Sequence, residues 1–114
     1  MGQTCVFCEI AKGNIPSEIL YRDQRVFAIK DIAPRAPIHI LVIPVEHEVE
    51  ISGIRPSAES ILGHTIEVAG MLAKSQGLLE SGYRLVVNQG EDANQTVAHL
   101  HVHLLGGRKL GPEG

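Results

Sequence analysis

Residues 99–105 read His-Leu-His-Val-His-Leu-Leu, with three histidines at alternate positions among branched apolar residues. Successive side chains of a β-strand point to opposite faces of the sheet. A strand over residues 98–105 would therefore place the three imidazoles on one face and apolar side chains on the other. Half of the chain's six histidines lie here, which indicates a functional site rather than a polar surface. A metal site shared by alternate histidines is a second interpretation of the spacing.

The composition is that of one ordinary globular domain. The chain has 114 residues, of which 44% are hydrophobic, and we expect a single domain over residues 1–114. The net charge of −3 comes from mixed charges, which argues against binding to a nucleic-acid polymer but allows a small anionic ligand. Without a membrane-length apolar run or a signal-peptide pattern, we expect a cytoplasmic protein with no membrane partner.

The two cysteines, Cys5 and Cys8, form a C-x-x-C pair. A stabilising disulfide does not suit the expected reducing compartment. A thioredoxin-like redox pair would need a preceding strand, for which the chain has little room. The remaining interpretations are a zinc site completed by histidines elsewhere, and two small thiols packed with Val6 and Phe7.

Apolar periodicity and turn residues predict an α+β fold. Strands are expected at residues 19–21, 26–29, 38–43, 83–88 and 98–105. A short helix over residues 6–12 should end at Gly13. A long helix, capped by Ser57 and ending at Gly77 or Gly82, has apolar residues at three- and four-residue spacing and should pack on the sheet. His64 within it is expected to be a partly exposed surface residue without a role.

The chain resembles the histidine triad family, in its branch of Hint-type nucleoside phosphoramidases. The matching blocks are residues 5–8 with Ile15-Pro16, residues 31–37 leading into His39 and residues 41–44, His47, Val87-Asn88, Gln95-Thr96, the histidine segment, and Gly106-Gly107-Arg108. The resemblance implies a HIT-like fold in which a five-stranded antiparallel sheet carries one long and one short helix. It also implies a homodimer in which the two sheets join, and a purine nucleotide ligand of the AMP or GMP type.

The same resemblance implies hydrolysis of purine nucleoside 5′-phosphoramidates and related adenylates through a covalent nucleotidyl-histidine on His101. If a backbone carbonyl such as that of His99 held the Nδ1 proton of His101, the Nε2 lone pair would point at the phosphate. His103 would bind the phosphate and help protonate the leaving group. His39, on the neighbouring strand, would orient the triad through a hydrogen bond.

Substrate contacts are also implied by the resemblance. Asp31 would accept hydrogen bonds from the ribose hydroxyls, and Ile32 would pack on the purine. The residues expected near the phosphate and leaving group are Asn88, Gln95 and Thr96. Asn94 stands where relatives often have glycine, and asparagine tolerates left-handed backbone geometry, so we expect the loop to be retained.

For the cysteine pair, the resemblance implies a structural zinc ion, with no organic cofactor. The implied ligands are Cys5, Cys8, His47 and His99. A Cys2His2 set is a closed tetrahedral site, so the metal would tie the amino terminus to the histidine segment without carrying a reactive water.

Two alternative functions remain open on sequence grounds. One is a nucleotide-binding or sensing module with weak catalysis, and the other is a hydrolase of dinucleoside polyphosphates. The early C-x-x-C segment and the third histidine followed by Leu-Leu-Gly-Gly-Arg favour the phosphoramidase branch. Residues 109–114 lack the tryptophan-containing tail of some relatives, so specificity for the leaving amine does not transfer.

Overall fold

The computed structural model describes residues 5–47, 51 and 61–112. The described elements are helix α1 (Val6–Ala11), strands β1 (Ile19–Arg22), β2 (Val26–Lys30) and β3 (Ile38–Pro44), helix α2 (Ile61–Ser75), strand β4 (Tyr83–Val86), a 3-10 turn (Glu91–Ala93) and strand β5 (Val102–Gly106). The five strands form one antiparallel sheet in the order β1-β2-β3-β5-β4. The predicted α+β fold with a five-stranded antiparallel sheet and one long and one short helix is confirmed.

Apolar residues on β2 and β3 fill two separate cores, one on each face of the sheet. On one face, Val26 and Ala28 pack with Val68 and Leu72 of α2. On the other, Phe27 and its neighbours pack against Phe7 of α1. This arrangement follows from the period of two along each strand, and it explains why α1 and α2 lie on opposite faces.

Both helices end where the sequence predicts. After α2, the Gly77 amide donates to the Lys74 carbonyl and the Leu78 amide donates to the Ala73 carbonyl, which is a Schellman motif. Gly77 has φ +76°, a conformation that glycine adopts without a steric penalty. The cap predicted at Ser57 lies outside the described residues. None of the described helices is long and apolar enough to span a membrane.

The strand predicted over residues 98–105 starts later than expected, so the predicted first residue is wrong. Strand β5 begins at Val102, whereas residues 97–99 form a bend in which the His99 amide donates to the Val97 carbonyl. Of the three histidines, only His103 belongs to the strand, where it pairs with Leu41 of β3 and Val86 of β4. The bend turns His99 away from the other two histidines.

Candidate functional site

The site occupies the face of the sheet opposite α2. In antiparallel register, His103 of β5 lies opposite Leu41, whose side chain belongs to the α1-side core. The rings of His101 and His103 have centroids 5.0 Å apart, and those of His39 and His103 are 5.2 Å apart. All three histidines are buried, so the structure brings together the predicted catalytic set.

A backbone carbonyl fixes the tautomer of His101. Its Nδ1 lies 2.7 Å from the carbonyl oxygen of His99. A carbonyl oxygen can only accept, so Nδ1 carries the proton and the lone pair is on Nε2. Phe7 supports the ring edge-on, with the two ring centroids 5.1 Å apart. The contact with the His99 carbonyl is the one that the sequence predicted.

A second chain of hydrogen bonds fixes His39 and His103. The backbone amide of Arg35 donates to Nδ1 of His39 over 3.0 Å, so the proton of a neutral His39 is on Nε2. That Nε2 lies 2.9 Å from Nδ1 of His103 and 3.3 Å from the carboxylate of Asp31. Because Nδ1 of His103 accepts the hydrogen bond from this N–H, His103 carries its own proton on Nε2.

Burial keeps His39 and His103 neutral. Burial lowers the pKa of His103 to about 4, and the nearby His101, His39 and Arg35 act in the same direction against Asp31. Burial also lowers the pKa of His39, where Asp31 opposes the shift and Arg35 reinforces it. Near neutral pH, His103 therefore offers an uncharged N–H donor.

Asp31, His39 and His103 are close enough together to be considered as metal ligands. However, His39 has Nδ1 accepting from Arg35 and a proton on Nε2, so neither of its nitrogens has a free lone pair. The hydrogen-bond chain accounts for this cluster better than a metal does. The alternative of one metal shared by the three alternate histidines is wrong, because His99 faces the cysteines instead.

The second cluster joins α1 to the bend before β5. The potential ligand atoms of Cys5, Cys8, His47 and His99 all lie within 4.8 Å of one another. Nδ1 of His99 is 3.3 Å from Sγ of Cys5 and 3.6 Å from Sγ of Cys8, and Nδ1 of His47 is 3.3 Å from Sγ of Cys8. Tetrahedral zinc with ordinary bond lengths would separate sulfur and nitrogen ligands by about 3.5 Å. These four residues could therefore hold a metal.

The protonation states of His99 and Cys8 also suit a metal site. Nε2 of His99 lies 2.9 Å from the Pro44 carbonyl oxygen, so it carries the proton and leaves the Nδ1 lone pair facing the sulfurs. Burial lowers the pKa of His99, which favours the neutral, ligating form. Burial and the neighbouring Cys5 raise the pKa of the Cys8 thiol, a shift that a bound dication would reverse.

The predicted substrate residues lie in two segments, one directly after β2 and the other between β4 and β5. Asp31 lies beside His39, and its other carboxylate oxygen accepts from the Ala33 amide at 2.8 Å. Ile32 is fully exposed, so its side chain packs on no other residue that the structure describes. Thr96 is exposed as well.

The loop after β4 presents an unused amide group. Asn88 donates to the Ala93 carbonyl, and the side-chain oxygen of Gln95 accepts from the Gly90 amide. Nε2 of Gln95 is buried without a hydrogen-bond partner among the described residues. Asn94 adopts φ +62°, so the left-handed geometry expected of this loop is confirmed.

Sequence reasoning missed the backbone groups that set the tautomers. The Arg35 amide and the Pro44 carbonyl belong to residues whose side chains give no sign of these contacts, and neither follows from alternation. It also missed the contact of His64, whose Nε2 lies 2.7 Å from the Asp23 carboxylate. The expectation that His64 is a partly exposed surface residue is confirmed, but no local sequence pattern indicates its hydrogen bond to Asp23.

The HIT domain family model matches residues 12–110. The chain is 43% identical over 112 residues to the purine nucleoside phosphoramidase of Escherichia coli (strain K12), covering 98% of this chain and 94% of that protein. A HIT family hydrolase from Clostridium thermocellum superposes with a TM-score of 0.91 at 49% identity, covering 99% of this chain and 98% of that one. A Zn-bound histidine triad family protein from Mycobacterium smegmatis has a TM-score of 0.82 at 33% identity, covering 92% and 76% respectively. The chain belongs to the HIT domain family.

Proposed function

We propose that the protein is a nucleotide-binding hydrolase that cleaves purine nucleoside 5′-phosphoramidates. The observation that carries this proposal is the pair of fixed tautomers, with a lone pair on Nε2 of His101 beside an N–H on Nε2 of His103. A nucleophile next to a neutral donor suits displacement at a phosphorus whose oxygens bear negative charge. The similarity to the Escherichia coli phosphoramidase over nearly the whole chain supports the reaction class.

The proposed reaction has two displacement steps. Nε2 of His101 attacks phosphorus in line, the P–N bond to the leaving amine breaks, and the amine nitrogen takes a proton from solvent. The imidazole then carries a positive charge, which the hydrogen bond from Nδ1–H to the His99 carbonyl stabilises. Water next attacks phosphorus, the P–Nε2 bond breaks, and a proton from the water returns to solvent as the nucleoside monophosphate leaves.

Each neighbouring residue has one proposed role. His103 donates from Nε2 to a non-bridging oxygen, and His39 is a positioning residue that keeps that proton on Nε2. Asp31 accepts from the ribose hydroxyls, and Ile32 covers the base. Asn88, Gln95 and Thr96 bind the phosphate and leaving group. The donor of Gln95 is its buried Nε2, which has no hydrogen-bond partner in the described part of the chain.

Substitution of His101 tests the assignment. His101→Ala should abolish turnover of an adenosine phosphoramidate, because no nucleophile remains, while nucleotide binding measured by calorimetry persists. A variant that still turns over at the unmodified rate would contradict the proposal. Loss of both turnover and binding in a folded variant would instead place His101 in binding alone.

We further propose that Cys5, Cys8, His47 and His99 hold structural zinc. The sulfur and nitrogen separations and the free Nδ1 of His99 support this metal, and a relative is zinc-bound. When bound, the ion would hold α1 against the bend before β5. Protein purified without chelators should contain about one zinc per chain by elemental analysis. A content near zero would refute the proposal.

We also propose a homodimer formed through β4, which is an edge of the sheet. The hydroxyl of Tyr83 on β4 lies close to Gly70 of α2. One turn earlier on α2, the side chain of Ile66 is exposed. An unpaired edge beside exposed apolar side chains is suited to pairing with a second copy.

Sedimentation of the unmodified protein should give twice the mass of one chain. The Ile66→Glu variant should sediment with the mass of a single chain. Ile19→Glu, on the opposite edge at similar exposure, is the matched control. A monomeric unmodified protein would contradict the proposal.

A further inference from the structure

A basic cleft of about 290 Å³ lies against His103. Its lining includes Arg35, Arg84 and Arg108, together with Asn88, and no acidic side chain among the described residues. The whole chain has only ten Lys and Arg residues and a net charge of −3. Three cations in one cleft of an acidic protein indicate that the cleft receives an anionic group.

Two of the arginines are held by the backbone around the cleft. Arg108 donates to the Arg35 carbonyl at 2.7 Å and to the Lys109 carbonyl at 2.9 Å. Arg84 donates to the Gly111 carbonyl at 2.7 Å. Carbonyl oxygens are neutral acceptors, so these contacts position the guanidinium groups without cancelling their charge. The chain after β5 is thereby fixed as one wall of the cleft.

Arg35 differs from the other two. Its backbone is engaged on both sides, by His39 and by Arg108. Its guanidinium has no hydrogen bond or ion pair within residues 5–47, 51 and 61–112, and the side chain is exposed. A guanidinium in this position can bind a carboxylate or phosphate through two parallel N–H donors.

The cleft lies on the leaving-group side of the proposed reaction. The ribose is assigned to Asp31, which follows β2. The cleft begins at Arg35, in the segment between β2 and β3, and extends past His103 on β5 to Val86 on β4 and Asn88 in the loop after it. In the sheet order, β3 and β5 lie between β2, which leads to Asp31, and β4, where the far end of the cleft lies. With the nucleoside on the Asp31 side of the phosphorus, the opposite substituent extends toward β4.

We propose that this cleft is a leaving-group subsite that favours phosphoramidates whose leaving amine carries an anionic oxygen group. The inference rests on the proposed phosphoramidase function and adds the chemistry of the amine. An amino-acid carboxylate and a phosphate-type group share the required charge and geometry, so the experiment compares the two.

The test uses three adenosine phosphoramidates that differ only in the leaving amine: glycinamide, glycine and aminomethylphosphonate. For each anionic substrate, a selectivity ratio is calculated as its kcat/KM divided by the kcat/KM of the glycinamide substrate. The ratio is measured in the unmodified protein and in Arg35→Gln. Comparing the two proteins cancels the intrinsic reactivity of each amine. Arg35→Gln should lower the ratio by about tenfold for at least one anionic substrate, as expected for loss of a charged hydrogen bond.

The anionic substrate whose ratio falls more in Arg35→Gln identifies the preferred anion, carboxylate or phosphonate. Lys109→Gln removes the same charge from an exposed residue outside the lining and should leave both ratios unchanged. Ratios that Arg35→Gln leaves unaltered would overturn the inference while the phosphoramidase proposal stands. No turnover of any of the three substrates by the unmodified protein would overturn both.

Discussion

At the scale of single residues, the site depends on which nitrogen of each histidine carries the proton. A backbone group decides this for three of them: the His99 carbonyl for His101, the Arg35 amide for His39 and the Pro44 carbonyl for His99. His103 is then set by His39. Alternation in the sequence predicts that imidazoles share a site, and the resemblance divides their roles. The backbone partners depend on how β3 and β5 pair, so only the folded chain shows most of them.

Substitution of His39 tests the proposed relay. His39→Leu removes the donor to Nδ1 of His103, so the proton is no longer held on Nε2, and kcat should fall by about 10- to 100-fold. His39→Gln retains a side-chain N–H donor and should recover part of the loss. Equal kcat in the two variants would show that His39 contributes only packing. The pH profile of kcat distinguishes the cases further, since a packing defect would not change its shape.

The low pKa of His103 predicts acid sensitivity of the fold. In the folded protein this ring stays neutral down to pH about 4, whereas the ordinary value of 6.5 applies to the unfolded chain. Below pH 6.5 the unfolded state therefore binds a proton that the folded state does not, so stability falls as pH drops toward 4. Above pH 6.5 this residue adds no pH dependence.

The expected contribution is a loss of about 2 kcal/mol between pH 7 and pH 5. Urea unfolding at these two pH values measures it, and His103→Asn should make the dependence shallower. An identical slope in the variant would contradict the assignment to His103.

At the scale of elements, the turn between β1 and β2 is joined to α2 through Asp23. One carboxylate oxygen accepts from the amides of Arg25 and Val26, and the other from Tyr21 and His64. Although burial opposes ionisation, these hydrogen bonds hold the pKa of Asp23 well below its usual range. The sequence predicts the hairpin from its polar turn, but His64 is 41 positions away and no local pattern connects the two.

Asp23→Asn should destabilise the protein by about 1 to 2 kcal/mol at neutral pH, because hydrogen bonds to a charged acceptor are replaced by weaker ones. The carboxylate contributes stability above the unfolded pKa near 4 and loses it as the pH falls through the lower folded pKa. Urea unfolding measures the difference between the proteins, which should shrink in acid. Asp92→Asn, on the exposed 3-10 turn, is the control. A difference from the unmodified protein that is independent of pH would contradict the electrostatic account.

The late start of β5 also belongs to this scale. The alternating pattern predicts a strand from residue 98, yet residues 97–99 form a bend and the strand begins only at Val102. His99 makes contacts with two sulfurs and with Pro44, which would be lost if its ring projected beside those of His101 and His103. Contacts from α1 therefore outweigh local strand propensity.

At the scale of the whole molecule, the sheet separates packing from chemistry. One face carries α2 and the larger core, and the other carries α1, the histidines and the basic cleft. The period-two alternation makes the two faces predictable from sequence. The cleft is not predictable in the same way, because its arginines come from three separate segments and meet only through the pairing of β5 with β3 and β4.

The proposed zinc site would connect these parts, since it links Cys5, at the start of α1, to the segment before β5. Removal of zinc with a chelator should lower the unfolding temperature by several degrees, because ligand binding to the folded state stabilises it. Cys8→Ser should show the lower temperature before chelation and little further change. An unmodified protein whose melting temperature is insensitive to chelation and to added zinc would contradict a structural role for the metal.

The central claim is that Nε2 of His101 becomes covalently bonded to phosphorus. Rapid mixing with an adenosine phosphoramidate, quenching into alkaline denaturant and proteolysis should yield one adenylyl group per active chain, on the peptide containing His101. Fragmentation by mass spectrometry then locates the modified residue. Adenylylation of His101 that forms and decays at the rate of turnover is the predicted result. Turnover with no adenylylated protein, or with the group on His103, would contradict the account.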